Sequence, residues 1–247
     1  MQDGFALWAN PSSPHAAGRK ARSLLEDARE RVKAALGWNG EVIFTSGASE
    51  AAALALGHAQ AGARMMASVE HDCVLQAVPA AERLPVRPNG ALDLEVLTEA
   101  VQRERPLVAV QQVNSETGNR QDLAAISGIV HQAGGLLLAD CAQGAGRFAL
   151  PSCDMAIISA HKFGGPIGGG ALLVKDYAML APSGGQERGY RRGTENMPAG
   201  ARTAGCAGRG MPQDRRHLAV RPPVRPDPLY PRDRHAEDER HRAGHAL

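Results

Sequence analysis

Lys162 stands in the segment Ser159-Ala160-His161-Lys162-Phe163-Gly164-Gly165-Pro166, directly after the apolar residues 155–158 and directly before Gly168-Gly169-Gly170. An amine condenses with an aldehyde only when unprotonated, and burial is the usual way to lower a lysine's pKa far enough. The chain has four lysines against 24 arginines, so a lysine in this apolar and glycine setting is not a random draw. Two readings stay open for Lys162 alone: a lysine for covalent catalysis, or a strand-edge lysine whose ammonium reaches back to water.

Other polar groups recur just after apolar runs. Ser46-Gly47-Ala48-Ser49 lies between a strand-like run and an alanine-rich helix, where main-chain N–H groups and the helix dipole favour an anion such as phosphate. An ordinary serine cap reads the same way. The turn lacks the spacing and lysine of a nucleotide-triphosphate loop. Asp140 follows Gly135-Leu136-Leu137-Leu138-Ala139, and a carboxylate at a buried strand end needs a cationic partner or a proton. A pyridinium nitrogen is one such partner, and capping of the next turn is the alternative. Gln143 could serve the same ligand as a neutral donor. His71, in Val69-Glu70-His71-Asp72, could stack on an aromatic ring or be an exposed loop residue. Asn114 and Ser115, in Asn114-Ser115-Glu116-Thr117-Gly118, could hydrogen-bond a ligand or simply form a turn.

These residues need elements to hold them. Ser12-Ser13-Pro14 before a periodic stretch that stops at Gly37 predicts a helix over 14–36. Strand-like runs follow at 41–45, 64–68, 107–113, 135–139, 155–158 and 170–174, with helical stretches near 49–61, 93–105 and 122–133. Apolar strands without alternation, separated by helices, predict an α/β fold with a mostly parallel sheet covered on both faces. Ligands in such sheets sit at the carboxyl ends of the strands, which is where five of the polar groups fall.

At 247 residues and 43% hydrophobic the chain can bury a substantial core. Its longest apolar runs are far shorter than the ~20 residues of a membrane helix. No basic region with an apolar core follows Met1, so no secretory signal is visible and the cytoplasm is inferred. Cys73, Cys141, Cys153 and Cys206 show no metal spacing with the histidines, so no metal is expected and buried reduced thiols are. Residues 202–247 carry ten arginines, six prolines and four histidines with six acidic residues and no lysine. That composition supports no hydrophobic face. It fits a disordered basic tail or, the favoured reading, an out-of-frame stretch of a GC-rich gene. The remainder is mildly acidic, so nucleic acid is not an expected partner.

Taken in order, these segments resemble the class V aminotransferase superfamily, and within it the cysteine desulfurases. The resemblance is carried by Asn10-Pro11-Ser12-Ser13-Pro14-His15, Thr45-Ser46-Gly47-Ala48-Ser49-Glu50, Glu70-His71, Val113 to Gly118, Asp140-Cys141-Ala142-Gln143, the Lys162 segment, and Gly184-Gly185-Gln186-Glu187-Arg188-Gly189-Tyr190-Arg191-Arg192-Gly193-Thr194-Glu195-Asn196. It implies the large domain of a fold-type I pyridoxal-phosphate enzyme over residues 1–200, and a homodimer with both sites at the subunit interface. It implies that Lys162 carries pyridoxal 5′-phosphate, with Asp140 on the ring nitrogen, His71 stacked on the ring and Gln143 at the phenolic oxygen. Ala48, Ser49, Ser159 and His161 would hold the phosphate and Thr194 the phosphate of the other subunit. Ser115 stands where many relatives have asparagine, so Asn114 is a substitute. The implied reaction converts L-cysteine to alanine and an enzyme persulfide, which passes sulfur to an acceptor protein in iron–sulfur cluster assembly. An aminotransferase, a selenocysteine lyase and a non-catalytic truncated relative are the alternatives. Relatives have an N-terminal segment before the matched region and a sulfur-accepting cysteine well beyond Thr194. Cys206 lies too near Thr194 for that role, so the chain is expected to be truncated at both ends and impaired in persulfide formation.

Overall fold

The computed structural model describes residues 9–207. The first helix, α1 (Ala16–Leu36), starts two residues later than the proline suggests, because the His15 imidazole accepts the Gly18 N–H at 3.1 Å and acts as the N-cap. It stops at Gly37, whose φ of 64° is the left-handed conformation that glycine adopts cheaply. Ala21, Leu25, Ala28 and Val32 form its buried stripe at helical spacing.

Then follow β1 (Glu41–Thr45), α2 (Ala48–His58), β2 (Arg64–Ala67), α3 (Asp72–Leu75), β3 (Glu82–Leu84), α4 (Leu94–Ala100), β4 (Leu107–Gln111), α5 (Leu123–Gln132), β5 (Leu136–Asp140), β6 (Met155–Ser159), β7 (Gly170–Val174) and α6 (Met197–Ala207). The seven strands make one sheet in the order β1-β7-β6-β5-β4-β2-β3, with β7 antiparallel to both its neighbours and every other pairing parallel.

β4, β6 and β7 are buried along their whole length, as a sheet covered on both faces requires. Alternate residues feed two cores. Val108, Val110, Leu137, Ala139, Ala156 and Ile158 pack with residues of α1, α4, α5 and α6, while Leu107, Ala109, Leu138, Met155 and Ile157 pack under α2. Each valine, leucine, isoleucine or methionine among them contributes about 1.5–3 kcal/mol by leaving water, and each alanine on the order of 0.8 kcal/mol.

Several elements end earlier than periodicity predicts. α2 stops at His58 because Ala59 turns extended and bridges Leu180. α4 stops at Ala100, ahead of Arg105 with its positive φ of 46°. β5 is displaced by one residue from 135–139, so Asp140 is its last residue and lies across from Gln111 of β4. α6 runs across residue 200, where the predicted tail was set to begin, and its residues Thr203, Ala204, Cys206 and Ala207 are buried. The rest of that tail lies outside the described residues. Among the described residues, no helix is long and apolar enough to cross a membrane.

Candidate active site

β1, β2, β4, β5 and β6 all run the same way, so their carboxyl ends share one edge of the sheet, and antiparallel β7 brings Gly168–Gly170 to that edge from its amino end. A cavity of about 490 Å³ opens there, lined by Ala48, Ser49, His71, Ser115, Asp140, Gln143, Ser159, His161 and Lys162. Nine of the eleven residues singled out in the sequence thus meet in one place. Asn114 and Thr194 do not line it.

Lys162 sits in a single 3-10 turn, Ala160–Phe163, rather than at the strand end itself, and is half-buried. The turn is closed by Gly164 at φ 85°. Arg147 fixes this turn to the β5 side of the cavity, donating to the carbonyls of Lys162 at 2.7 Å and Gln143 at 2.8 Å. Ser159 is buried, and its hydroxyl meets His161 Nδ1 at 3.0 Å.

Asp140 is buried and accepts the Ala142 N–H at 2.8 Å. Burial pushes its carboxyl above the usual range, against the opposing pull of that N–H, His71 and Lys162. Glu70, deeper still, is pushed well above its usual range by burial and then by Asp140.

The turn Ser46 to Ser49 leads into α2, whose N-cap is Gly47 with no side-chain cap. Glu50 takes up the Ser46 N–H at 2.6 Å and pairs with Arg191 Nε at 2.9 Å. Burial acts to raise the Glu50 carboxyl, but those contacts outweigh it and hold the carboxyl below its usual range.

His71 caps the short α3, its Nδ1 accepting the Cys73 N–H at 3.1 Å and lying 3.2 Å from Cys73 Sγ. Cys73, read as a structural thiol, is half-buried and lines the cavity, whereas Cys141 and Cys153 are buried in the core. Cys206 is buried in α6 and donates to the Gly164 carbonyl at 3.2 Å.

Asn114 cannot serve a ligand as it stands. Its Oδ1 accepts from the N–H groups of Glu116 at 2.9 Å and Thr117 at 2.8 Å, and its amide donates to the Val69 carbonyl at 3.2 Å. A side chain whose oxygen is taken up by its own turn and whose amide holds a distant carbonyl is a structural asparagine. Thr194 is exposed outside the cavity, its carbonyl 3.4 Å from Arg191 Nη1.

Gln111, Cys73, Glu50 and Arg147 are the neighbours that sequence reasoning missed. The first three line the cavity. Among the described residues no cluster of histidine, cysteine and carboxylate groups could hold a metal ion.

The sheet order, the strand-end cavity and a lysine turn facing a buried aspartate define the large domain of the fold-type I architecture. The chain belongs to the aminotransferase class-V family, whose model matches residues 5–196. It is 39% identical over 234 residues to a cysteine desulfurase of Frankia sp., a match that covers 82% of this chain and 54% of that protein. The NifS-like protein of Rickettsia africae superposes with a TM-score of 0.77 at 31% identity, covering 84% of this chain and 63% of that one. A structure described as SspA in complex with cysteine matches with a TM-score of 0.74 at 30% identity, covering 84% and 65%. The chain spans about half the length of the curated relatives it matches.

Proposed function

We propose that this chain binds pyridoxal 5′-phosphate at the strand-end cavity and acts on L-cysteine as a cysteine desulfurase, releasing alanine and leaving the sulfur as a protein persulfide. The observation that carries the reading is the convergence of Lys162, Asp140 and the uncapped turn before α2 on one cavity.

The donor set fits the group. A phosphate needs N–H and hydroxyl donors, and the α2 N-terminus with Ser49, Ser159 and His161 supplies them. A ring nitrogen needs a buried acid, and Asp140 is buried with a raised pKa. When bound, the pyridinium ring serves as an electron sink for bonds at the substrate α-carbon. Asp140 would hold the proton at the ring nitrogen, His71 would cover one face of the ring and Gln143 would donate to the phenolic oxygen. The Lys162 Nζ would carry the cofactor at rest and move a proton once substrate replaces it. Ser115 lies at the rim, where it could touch substrate or cofactor.

The proposal extends to a homodimer in which Thr194 reaches the partner's phosphate, to a sulfur-acceptor protein, and to a cytoplasmic location. The relatives named as cysteine desulfurases, and the neighbour described with cysteine, support the substrate. Persulfide formation itself is slow in this reading. The Cys141 thiol is held well above its usual pKa, Cys153 is pushed up to about 12, and Cys73 is raised, in each case first by burial. None of these three is poised as a thiolate nucleophile.

The test is the visible absorption spectrum of the purified chain mixed with pyridoxal phosphate, beside Lys162→Ala. A band in the native chain that the variant lacks supports the reading, and no band in either ends it.

A further inference from the structure

Glu50 places a carboxylate in the first turn of α2, in the wall of the cavity and beside the turn proposed to hold a phosphate. Left unpaired, that charge would repel a dianion and compete for the same helix N-terminus. The structure gives it two restraints. Its Oε2 accepts the Ser46 N–H at 2.6 Å, which aims it back along the chain, and its Oε1 meets Arg191 Nε at 2.9 Å. The pair is shielded, with side-chain exposures of 13% for Arg191 and 27% for Glu50. Arg191 also donates through Nη1 to the carbonyls of Gly193 at 2.9 Å and Thr194 at 3.4 Å, so the same guanidinium fixes the segment that presents Thr194.

We infer that Arg191 and Glu50 are a positioning pair for the cofactor phosphate: Arg191 neutralises the carboxylate in the wall of the phosphate site, and Glu50 holds the Ser46–Ser49 turn in its anion-ready shape. The inference rests on the cofactor reading above and adds two residues to it. Neither touches the reacting atoms. Their effect is confined to ligands that carry a phosphate, and it has a sign that simple loss of packing does not share. Removing Arg191 leaves a bare carboxylate beside the phosphate, and removing the carboxylate's charge as well relieves the repulsion.

The experiment is a binding titration of pyridoxal phosphate and of pyridoxal, which lacks the phosphate, into the native chain, Arg191→Met, Glu50→Gln and the double variant, with thermal unfolding recorded for each. Arg191→Met should weaken pyridoxal phosphate by roughly tenfold, the order set by one unpaired charge near an anion. The double variant should recover most of that loss despite having one more substitution, and pyridoxal should bind all four chains within about twofold, well under the tenfold step. A double variant as weak as Arg191→Met, or equal weakening of both ligands, overturns the inference and leaves the pair merely structural. Should Arg191→Met unfold, Arg191→Lys keeps the charge but not the carbonyl contacts. It must then bind pyridoxal phosphate near the native affinity, and a tenfold loss there counts against charge neutralisation. Failure of the native chain to bind pyridoxal phosphate is read separately, in the native titration alone, and removes the cofactor reading and this inference with it.

Discussion

Glu70 accepts the main-chain N–H of Gln111 through Oε1 at 2.7 Å, and the Gln111 side chain returns a bond to the Val69 carbonyl at 2.6 Å. The two residues clip the segment that carries His71 onto the end of β4, across from Asp140. The other Glu70 oxygen, Oε2, is buried with no partner among the described residues. Burial without a partner for that oxygen favours the protonated form of the carboxyl.

That clip sets a pH dependence. The folded-state pKa of Glu70 is raised by burial and by Asp140, so the stability it confers is whole below the ordinary value of 4.5 and is lost as pH rises through the raised one. Chemical denaturation from about pH 5 to about pH 9 should show native stability falling with a slope that Glu70→Gln flattens. Parallel curves for the two chains would falsify a protonated Glu70.

Asp154 works with the opposite sign. Burial acts to raise its carboxyl, but the Leu137 N–H at 2.8 Å, Lys175 at 2.9 Å and His131 at 2.7 Å outweigh it and hold it below the ordinary 3.8. Its contribution is present above that value and is lost as pH falls through the lowered one, below about pH 4. Asp154→Ala strips the buried Leu137 N–H of its partner and should cost roughly 2–3 kcal/mol at neutral pH. The difference between the two chains should shrink as denaturation is repeated in acid, and a constant difference would count against this account.

Gly170 lets β7 press against the Ser46–Ser49 turn. A Cβ there would stand 2.7 Å from Gly47 Cα and 2.8 Å from the Ile158 carbonyl oxygen, both main-chain atoms that cannot rotate aside. Gly170→Ala should therefore destabilise the fold by about 1–3 kcal/mol and shift the turn, lowering affinity for a phosphate-bearing ligand. Native-like melting together with native-like pyridoxal phosphate binding would show that the turn has slack.

Much of this was legible beforehand because buried parallel strands announce themselves. The residues 42–44, 155–158 and 170–174 are unbroken runs without a polar side chain, and each lies within a strand. The strand ends were legible for the same reason, and with them Asp140, His71 and Lys162. What stayed hidden depends on partners far along the chain. β3 is three residues long with two charged positions, and it exists because β2 templates it. Asn114 has the chemistry of a ligand, and only the Val69 carbonyl 45 residues away shows that it is spoken for. Gln111 reads as the tail of an apolar strand until Glu70 is found against it. Thr194 belongs to a segment whose position is set by Arg191 on Glu50, a pairing across 141 residues that no local pattern records.

β1 is hydrogen-bonded on β7, and α6 packs against α1, although each pair lies far apart in sequence. The middle strands can pair with neighbours made shortly before or after them, but the first strand cannot. During synthesis β1 and the apolar stripe of α1 wait, uncovered, until Val174 and then α6 have left the ribosome. Pairing across such a separation pays its loop-closure entropy late and slows folding. Among the described elements, β1 and α1 are thus sealed late on a nascent chain, and they stay open to a chaperone until then.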